Sequence, residues 1–155
     1  MASAQAVQNA KRLNEASAEA VSRALDRFVA RANISAFVIV KKYGADLMRR
    51  IVNLSPVDTG RFRAAWTAAA RLVGVSVKSA PNPVAGALGA LEGGGSLTRT
   101  ADRVEFTARN SVRYAGLVEA GVSRQSSPGL VSNSLRQLET RILQELRQLP
   151  AEAAK

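Results

Sequence analysis

Asp58, Thr59 and Gly60 form a short motif that is associated with catalysis in other proteins. Retroviral-type aspartic proteases use this triplet, and two copies meet in a dimer where the paired carboxylates share one proton. The protease triplet follows an apolar strand, whereas here a predicted helix precedes it, and Arg61 and Arg63 would place cations beside the carboxylates. We therefore interpret the triplet as a turn. In it Asp58 and Thr59 accept hydrogen bonds from the following amides, and Gly60 adopts a positive φ.

The 155-residue chain contains neither His nor Cys. It therefore lacks a side chain with an unperturbed pKa near neutrality, a thiol nucleophile and a Ser-His-Asp triad. The usual ligands of zinc, haem and iron-sulfur clusters are missing as well. Its carboxylates are scattered along the sequence, which brings no pair to catalytic distance. We expect a protein that is not an enzyme, has no cofactor and is stabilised by packing or assembly rather than by disulfides.

Residues 79–102 combine two Pro and five Gly with few large side chains. No Lys follows the last glycine of the run Gly86 to Gly95, so the Gly-Lys-Ser/Thr ending of a phosphate-binding loop is absent. This composition predicts a long flexible loop, which is either a solvated connection or a functional arm.

Positive charge is concentrated in one part of the chain. The formal net charge is +10, and residues 34–80 hold eight cations against two carboxylates. The eight are Lys41, Lys42, Arg49, Arg50, Arg61, Arg63, Arg71 and Lys78. Such a cluster can contact a phosphate backbone or an acidic protein. Equally, it can form a solubilising surface, because no aromatic interleaving or known nucleic-acid motif accompanies it.

Apolar spacing of three and four residues predicts three substantial helices. The first covers residues 2–32 and breaks at Asn33, and its Ala-rich first half is expected to fray or to pack against a partner. Ser35 can N-cap the second helix, which Pro56 prevents from continuing. The third is an amphipathic helix over 131–149.

Alternating apolar residues predict two strands on either side of the 79–102 loop. The first run contains Val73, Val75 and Val77, and the second covers 103–109. A short helical turn is expected before the first strand, through Phe62 and Trp66. Another short helix, starting near residue 115, is expected after the second strand.

The chain length favours a single domain over residues 1–155. We divide it into an N-terminal helix (1–33) and an α+β body (34–150) that contains a small antiparallel sheet. No stretch of about 18 apolar residues is present to span a bilayer, and the N-terminus lacks the unbroken apolar block of a signal peptide. We expect a soluble protein that is used without secretion and has no membrane partner.

Two segments together resemble the tail-completion, or head-tail joining, proteins of tailed bacteriophages. The first is SPVDTGRFRAAW at 55–66, where Phe62 and Ala65 replace a Leu and a Ser of the family pattern. The second is NSVRYAGLVEAGVSRQSSPGLVSNSLRQL at 110–138. At 127–131 the chain has SPGLV, whereas the family has an aromatic-containing Pro-Phe-Leu sequence.

The resemblance implies a structural virion protein of the neck, joining head connector to tail and assembled in the host cytoplasm. It implies a homo-oligomeric ring of six, or a multiple of six, copies that contacts connector and tail proteins and encloses the packaged DNA. The basic cluster would then face the DNA channel or a partner. The matching positions, for which we expect structural roles, are Pro56, Asp58, Thr59, Gly60, Tyr114, Val118, Glu119 and Gly121.

Three further expectations concern the second segment and the assembly. Tyr114 and Val118 are four residues apart and are predicted to face the core beneath the sheet, whereas Glu119 is predicted to meet an Arg of the same or a neighbouring subunit. Residues 1–20 and 79–102 are expected to become ordered only in the ring.

A basic nucleic-acid-binding protein is the alternative function, and a dimeric aspartic protease is a third interpretation.

Overall fold

The computed structural model describes residues 2–122 and 127–150. Its elements are α1 (Ala2–Ala32), α2 (Ala36–Leu54), α3 (Arg61–Ala64), α4 (Thr67–Leu72), α5 (Pro83–Leu91), β1 (Gly93–Arg99), β2 (Val104–Asn110), α6 (Ala115–Glu119) and α7 (Leu130–Gln148). Helices and one two-stranded antiparallel sheet confirm the predicted α+β class, with long helices at both ends of the described chain.

Helices α1, α2 and α7 pack around one group of apolar side chains that includes Phe28, Tyr43 and Ile142. Tyr43 is 1% exposed, and its ring meets that of Phe28 edge-on at a centroid distance of 5.6 Å. Where α1 and α7 end together, the Arg31 guanidinium donates to the Leu149 carbonyl over 3.1 Å. This bond satisfies a carbonyl at the end of α7 that has no partner within the helix.

The first half of α1 packs against another part of the same chain, while its ordering in a ring stays a prediction. It packs on α6, where Val7 lies so close to Gly116 that a Cβ there would be 2.8 Å from its Cγ1. Glycine at 116 therefore lets the two helices approach. Sequence spacing cannot reveal this contact because it joins residues more than 100 positions apart.

The predicted helix boundaries around α2 are confirmed. Asn33 adopts a positive φ of 52°, which separates α1 from α2. Ser35 occupies the N-cap position, although its side chain makes no capping hydrogen bond. The Ser55 hydroxyl donates to the Ile51 carbonyl over 2.6 Å just after the helix ends, and Pro56 follows.

The second apolar group lies beneath the sheet and involves Met48, Phe62, Trp66, Val73 and Val118. Both apolar groups make contact with Leu47 and Val131. The packing is therefore continuous from the three long helices to the sheet.

The first predicted strand is wrong, since the residues from 73 to 77 form no ladder. The Val75 amide instead donates to the Ala70 carbonyl over 2.8 Å and closes the end of α4, with Gly74 at a φ of 76°. Val73 and Val75 are buried as predicted. Their alternation thus reflects burial of an irregular segment rather than strand pairing.

The predicted long loop over 79–102 is also wrong, because this segment forms α5 and β1. Asn82 caps α5, accepting from the amides of Val84 and Ala85 at 3.1 Å each, and Pro83 starts the helix. β1 pairs with β2, the strand that was predicted correctly, with Leu97 opposite Phe106.

The glycines of this segment allow close backbone packing. A Cβ at Gly89 would lie 2.1 Å from the Arg61 carbonyl oxygen, and one at Gly93 would lie 1.6 Å from that of Ala65. α5 and β1 therefore press directly against α3 and the turn that follows it. Among the described residues, no helix combines the length and apolar content that a bilayer span requires.

Candidate interaction site

The two segments that carry the family resemblance meet at one groove of about 620 Å³. We call it the motif groove. Its lining residues are Pro56, Asp58, Thr59, Gly60, Arg61, Phe62, Ala85, Tyr114, Leu117, Val118 and Val122. Segments about fifty residues apart in sequence thus form one site, to which α5 contributes Ala85.

Two direct contacts hold these segments together. The rings of Phe62 and Tyr114 stack with a centroid distance of 6.4 Å and an interplanar angle of 27°. The side-chain NH2 group of Asn110 donates to the Phe62 carbonyl over 2.9 Å, and its side-chain oxygen accepts from the backbone amide of Val112 over 3.1 Å. Asn110 therefore fixes the end of β2 against α3.

Tyr114 and Val118 both line the motif groove but differ in burial, which corrects the prediction that Tyr114 lies in the core. Val118 is 4% exposed and belongs to the core, whereas Tyr114 is 37% exposed. Tyr114 is the N-cap residue of α6, and its carbonyl accepts from the Val118 amide over 3.1 Å, as in a helical turn. Burial raises the pKa of the Tyr114 phenol, and nearby Arg61 opposes that rise.

Glu119 is buried, and its partners within the chain are backbone amides rather than an Arg of the same subunit. Its two carboxylate oxygens accept from the amides of Val131 and Ser132 over 2.8 and 3.1 Å. These are among the first amides of α7, which have no acceptor within the helix. The N-cap residue is Gly129, which has no side chain to supply one.

Glu119 also anchors the connection into α7 through its backbone, because its carbonyl accepts from the Gly129 amide over 2.8 Å. Gly121, at a φ of 88°, ends α6 as predicted. The start of α7 is thus held to Glu119 through both the backbone and the side chain of that residue. The family motif position has a structural role, although a different one from that expected.

The Asp58-Thr59-Gly60 triplet forms the predicted turn, with Gly60 at a φ of 84°. Thr59 Oγ1 accepts from the Arg61 amide at 3.3 Å, whereas Asp58 is exposed and caps no amide among the described residues. The predicted capping role therefore belongs to Thr59. The triplet follows α2 and precedes α3, unlike the strand context of a protease. The described residues contain no group of three acidic side chains arranged to hold a metal ion.

The structure distributes the eight predicted cations over several elements. Four of them have partners within the chain: Lys42 with Glu145, Arg49 with Asp46, Arg61 with Glu92, and Arg63 with the carbonyls of Lys78 and Ser79. The side chains of Lys41, Arg50, Arg71 and Lys78 form no ion pair within the described ranges. These four, and Arg63, whose partners are neutral carbonyls, pair with no carboxylate among the described residues.

A polar network between α2 and α7 was missed by the sequence reasoning. Glu145 receives hydrogen bonds from the Tyr43 hydroxyl, from Lys42 at 3.1 Å and from Arg141 at 3.0 Å. Burial opposes ionisation of Glu145, but these bonds outweigh it and lower its pKa to about 2. Burial and the bond to Glu145 raise the pKa of Tyr43. Sequence spacing does not indicate this pairing, because Tyr43 and Glu145 are 102 positions apart.

An exposed apolar surface on α5 was also missed. Val84, Leu88 and Leu91 are 71%, 45% and 83% exposed, and their spacing places them on one helical face. Gly86 and Gly89 occupy the opposite face, which is pressed against the body of the protein. The apolar character of 83–91 in a glycine-rich stretch was the signal that could have indicated such a helix.

Comparison of the chain with protein-family models, with curated proteins and with solved structures finds no match. The resemblance to tail-completion proteins therefore rests on the two motif segments alone.

Proposed function

We propose that this protein is a non-enzymatic structural subunit of a tailed-phage neck, acting as a tail-completion ring subunit between head connector and tail. One observation carries the proposal. The two segments that resemble the family, 55–66 and 110–121, form one structural unit around the motif groove, through the Phe62–Tyr114 stack and the Asn110 amide. Two motifs that occur together and in one order are expected to act in the same structural unit.

Two further features support a role in assembly. The motif groove and α5 together expose large apolar side chains, including Leu91 and Val122 at 83% and 60%. Exposed large apolar side chains of this kind are available for contacts with a protein partner. The Asp58-Thr59-Gly60 triplet lies in a turn between two helices rather than after an apolar strand, a context that supports a structural role for it better than a catalytic one.

A ring subunit can also line the DNA passage, where the free charges of Arg50, Arg71 and Lys78 would contact phosphates. The affinity of such contacts falls with salt in proportion to the number of phosphates neutralised. If these three cations supply the contacts, the isolated chain should bind DNA weakly, with a log–log salt slope of about −3 per subunit. Tight binding by the monomer, with a steep slope, would favour the alternative nucleic-acid-binding function.

Deletion of the gene in the phage or prophage that encodes it tests the proposal. We expect DNA-filled heads and separate tails by electron microscopy, and joined particles when the intact chain is supplied from a plasmid. The supplied chain should sediment with the joined particles. Normal joined virions without the chain would refute the proposed function.

A further inference from the structure

Two exposed apolar surfaces lie at opposite ends of the β hairpin. The α5 surface, made of Val84, Leu88 and Leu91, immediately precedes the Gly93 end of β1. The corner surface consists of Ile34 and Val38, which are 49% and 56% exposed at the junction of α1 and α2.

The corner surface adjoins the other end of the hairpin. There the Arg99 guanidinium lies over the ring of Phe37, 5.6 Å from its centroid. A strand rises by about 3.4 Å per residue, so the two ends of seven-residue β1 are about 20 Å apart. The two surfaces are therefore separate, and one copy of the chain cannot bring its own pair together.

The charges around the two surfaces are complementary. α5 carries no charged residue, and the adjoining motif groove contains the exposed carboxylate of Asp58, which forms no ion pair among the described residues. The corner surface is flanked by Lys41, three residues after Val38 on α2, and by Arg99. Neither cation pairs with a carboxylate in the described ranges. In a chain of net charge +10, an unpaired carboxylate beside the α5 surface can offset part of the repulsion between copies.

We propose that the α5 surface of one copy binds the corner surface of the next, with Asp58 of the first facing Lys41 and Arg99 of the second. Different patches on the two partners make this a head-to-tail contact, which closes into a ring when the rotation between neighbours allows it. The inference rests on the proposed ring function and specifies the surfaces that would build the ring.

Cysteine cross-linking tests the contact directly, since the full chain contains no Cys. The variants are Leu88→Cys and Val38→Cys, at exposed positions where the fold should not change. A short bismaleimide joins thiols on neighbouring surfaces without the strict geometry of a disulfide. We expect each variant alone to give no cross-linked product. Their mixture should give a covalent dimer and no larger species, even at higher protein concentration.

The double variant carrying both cysteines should give a ladder that ends at the copy number of the ring. Arg136→Cys, at an exposed position on α7, replaces Val38→Cys in the matched control mixture and should give at least tenfold less dimer. Efficient self-linking of Leu88→Cys would indicate a twofold contact and overturn the proposal. A mixture that yields no more dimer than the control would overturn it as well.

A charge variant links this contact to the phage experiment. Leu91→Lys alters a residue that is 83% exposed, so the fold should persist, and its cation would meet Lys41 and Arg99 of the next copy, so we expect at least a tenfold loss of the ladder. Gln8→Lys on the exposed side of α1 is the control. If the deletion phage separates heads from tails but the ladder is absent, only the proposed contact is wrong. If the ladder forms but joining does not need the chain, only the proposed function is wrong.

Discussion

Replacement of Glu119 by Ala should cause a large loss of stability for a single side chain. The carboxylate is 8% exposed and accepts two hydrogen bonds from α7 amides, at 2.8 and 3.1 Å. Leaving a buried backbone donor without a partner costs about 1–3 kcal/mol. Loss of a negative charge from a helix N-terminus adds roughly 0.3–1 kcal/mol. With two amides affected, we expect Glu119→Ala to lower the free energy of unfolding by about 3–5 kcal/mol.

Urea denaturation followed by circular dichroism measures this change, and hydrogen exchange at Val131 and Ser132 locates it. Both amides should exchange faster in Glu119→Ala than in the wild type. Glu119→Gln keeps one acceptor oxygen, so we expect it to lose about half as much stability. Glu15→Ala removes an exposed carboxylate from α1 and should change stability by less than about 0.5 kcal/mol.

A loss below about 1 kcal/mol in Glu119→Ala, with both amides still protected, would refute the capping role. The same result would show that the amides of α7 find other acceptors. Gly129 would then be a sufficient start for the helix by itself.

The polar network, the turn and the glycine packing each give a further prediction. Because the Glu145 pKa falls from 4.5 to about 2 on folding, its stabilisation is complete above pH 4.5 and is lost as the pH falls towards 2. Glu145→Gln should therefore cost about 1–2 kcal/mol at pH 7 after screening of its partly exposed carboxylate, and urea midpoints should converge with wild type near pH 2. A pH-independent difference would contradict this account. Thr59→Ala should cost about 0.5–1 kcal/mol and Asp58→Ala less than about 0.5 kcal/mol, since only Thr59 caps an amide; thermal melts that reverse this order would restore the capping role to Asp58. Gly93→Ala places a Cβ 1.6 Å from the Ala65 carbonyl oxygen and should cost at least about 3 kcal/mol, whereas Gly74→Ala has open space and pays only for its positive φ, about 1 kcal/mol. Equal losses in these two variants would show that the backbone of β1 can move away from the turn.

The sequence alone determined the local elements whose signals lie within a few residues. Apolar spacing predicted α1, α2 and α7, because a helix buries one face at every third or fourth position. Asn33, Pro56, Gly60 and Gly121 marked breaks and turns through backbone preferences that belong to the residues themselves. The alternating residues of β2 likewise predicted a strand.

Tertiary structure decided the elements and partners that depend on distant residues. β1 begins with three glycines, which have little intrinsic preference for a strand, and it exists because β2 pairs with it and α4 lies close behind it. The partner of Glu119 likewise depends on where the connection to α7 returns. The sequence predicted that the Glu119 carboxylate would meet an arginine. Only the fold could supply the counterpart of this carboxylate as two helix amides rather than an arginine, since a backbone donor has no signature in the sequence.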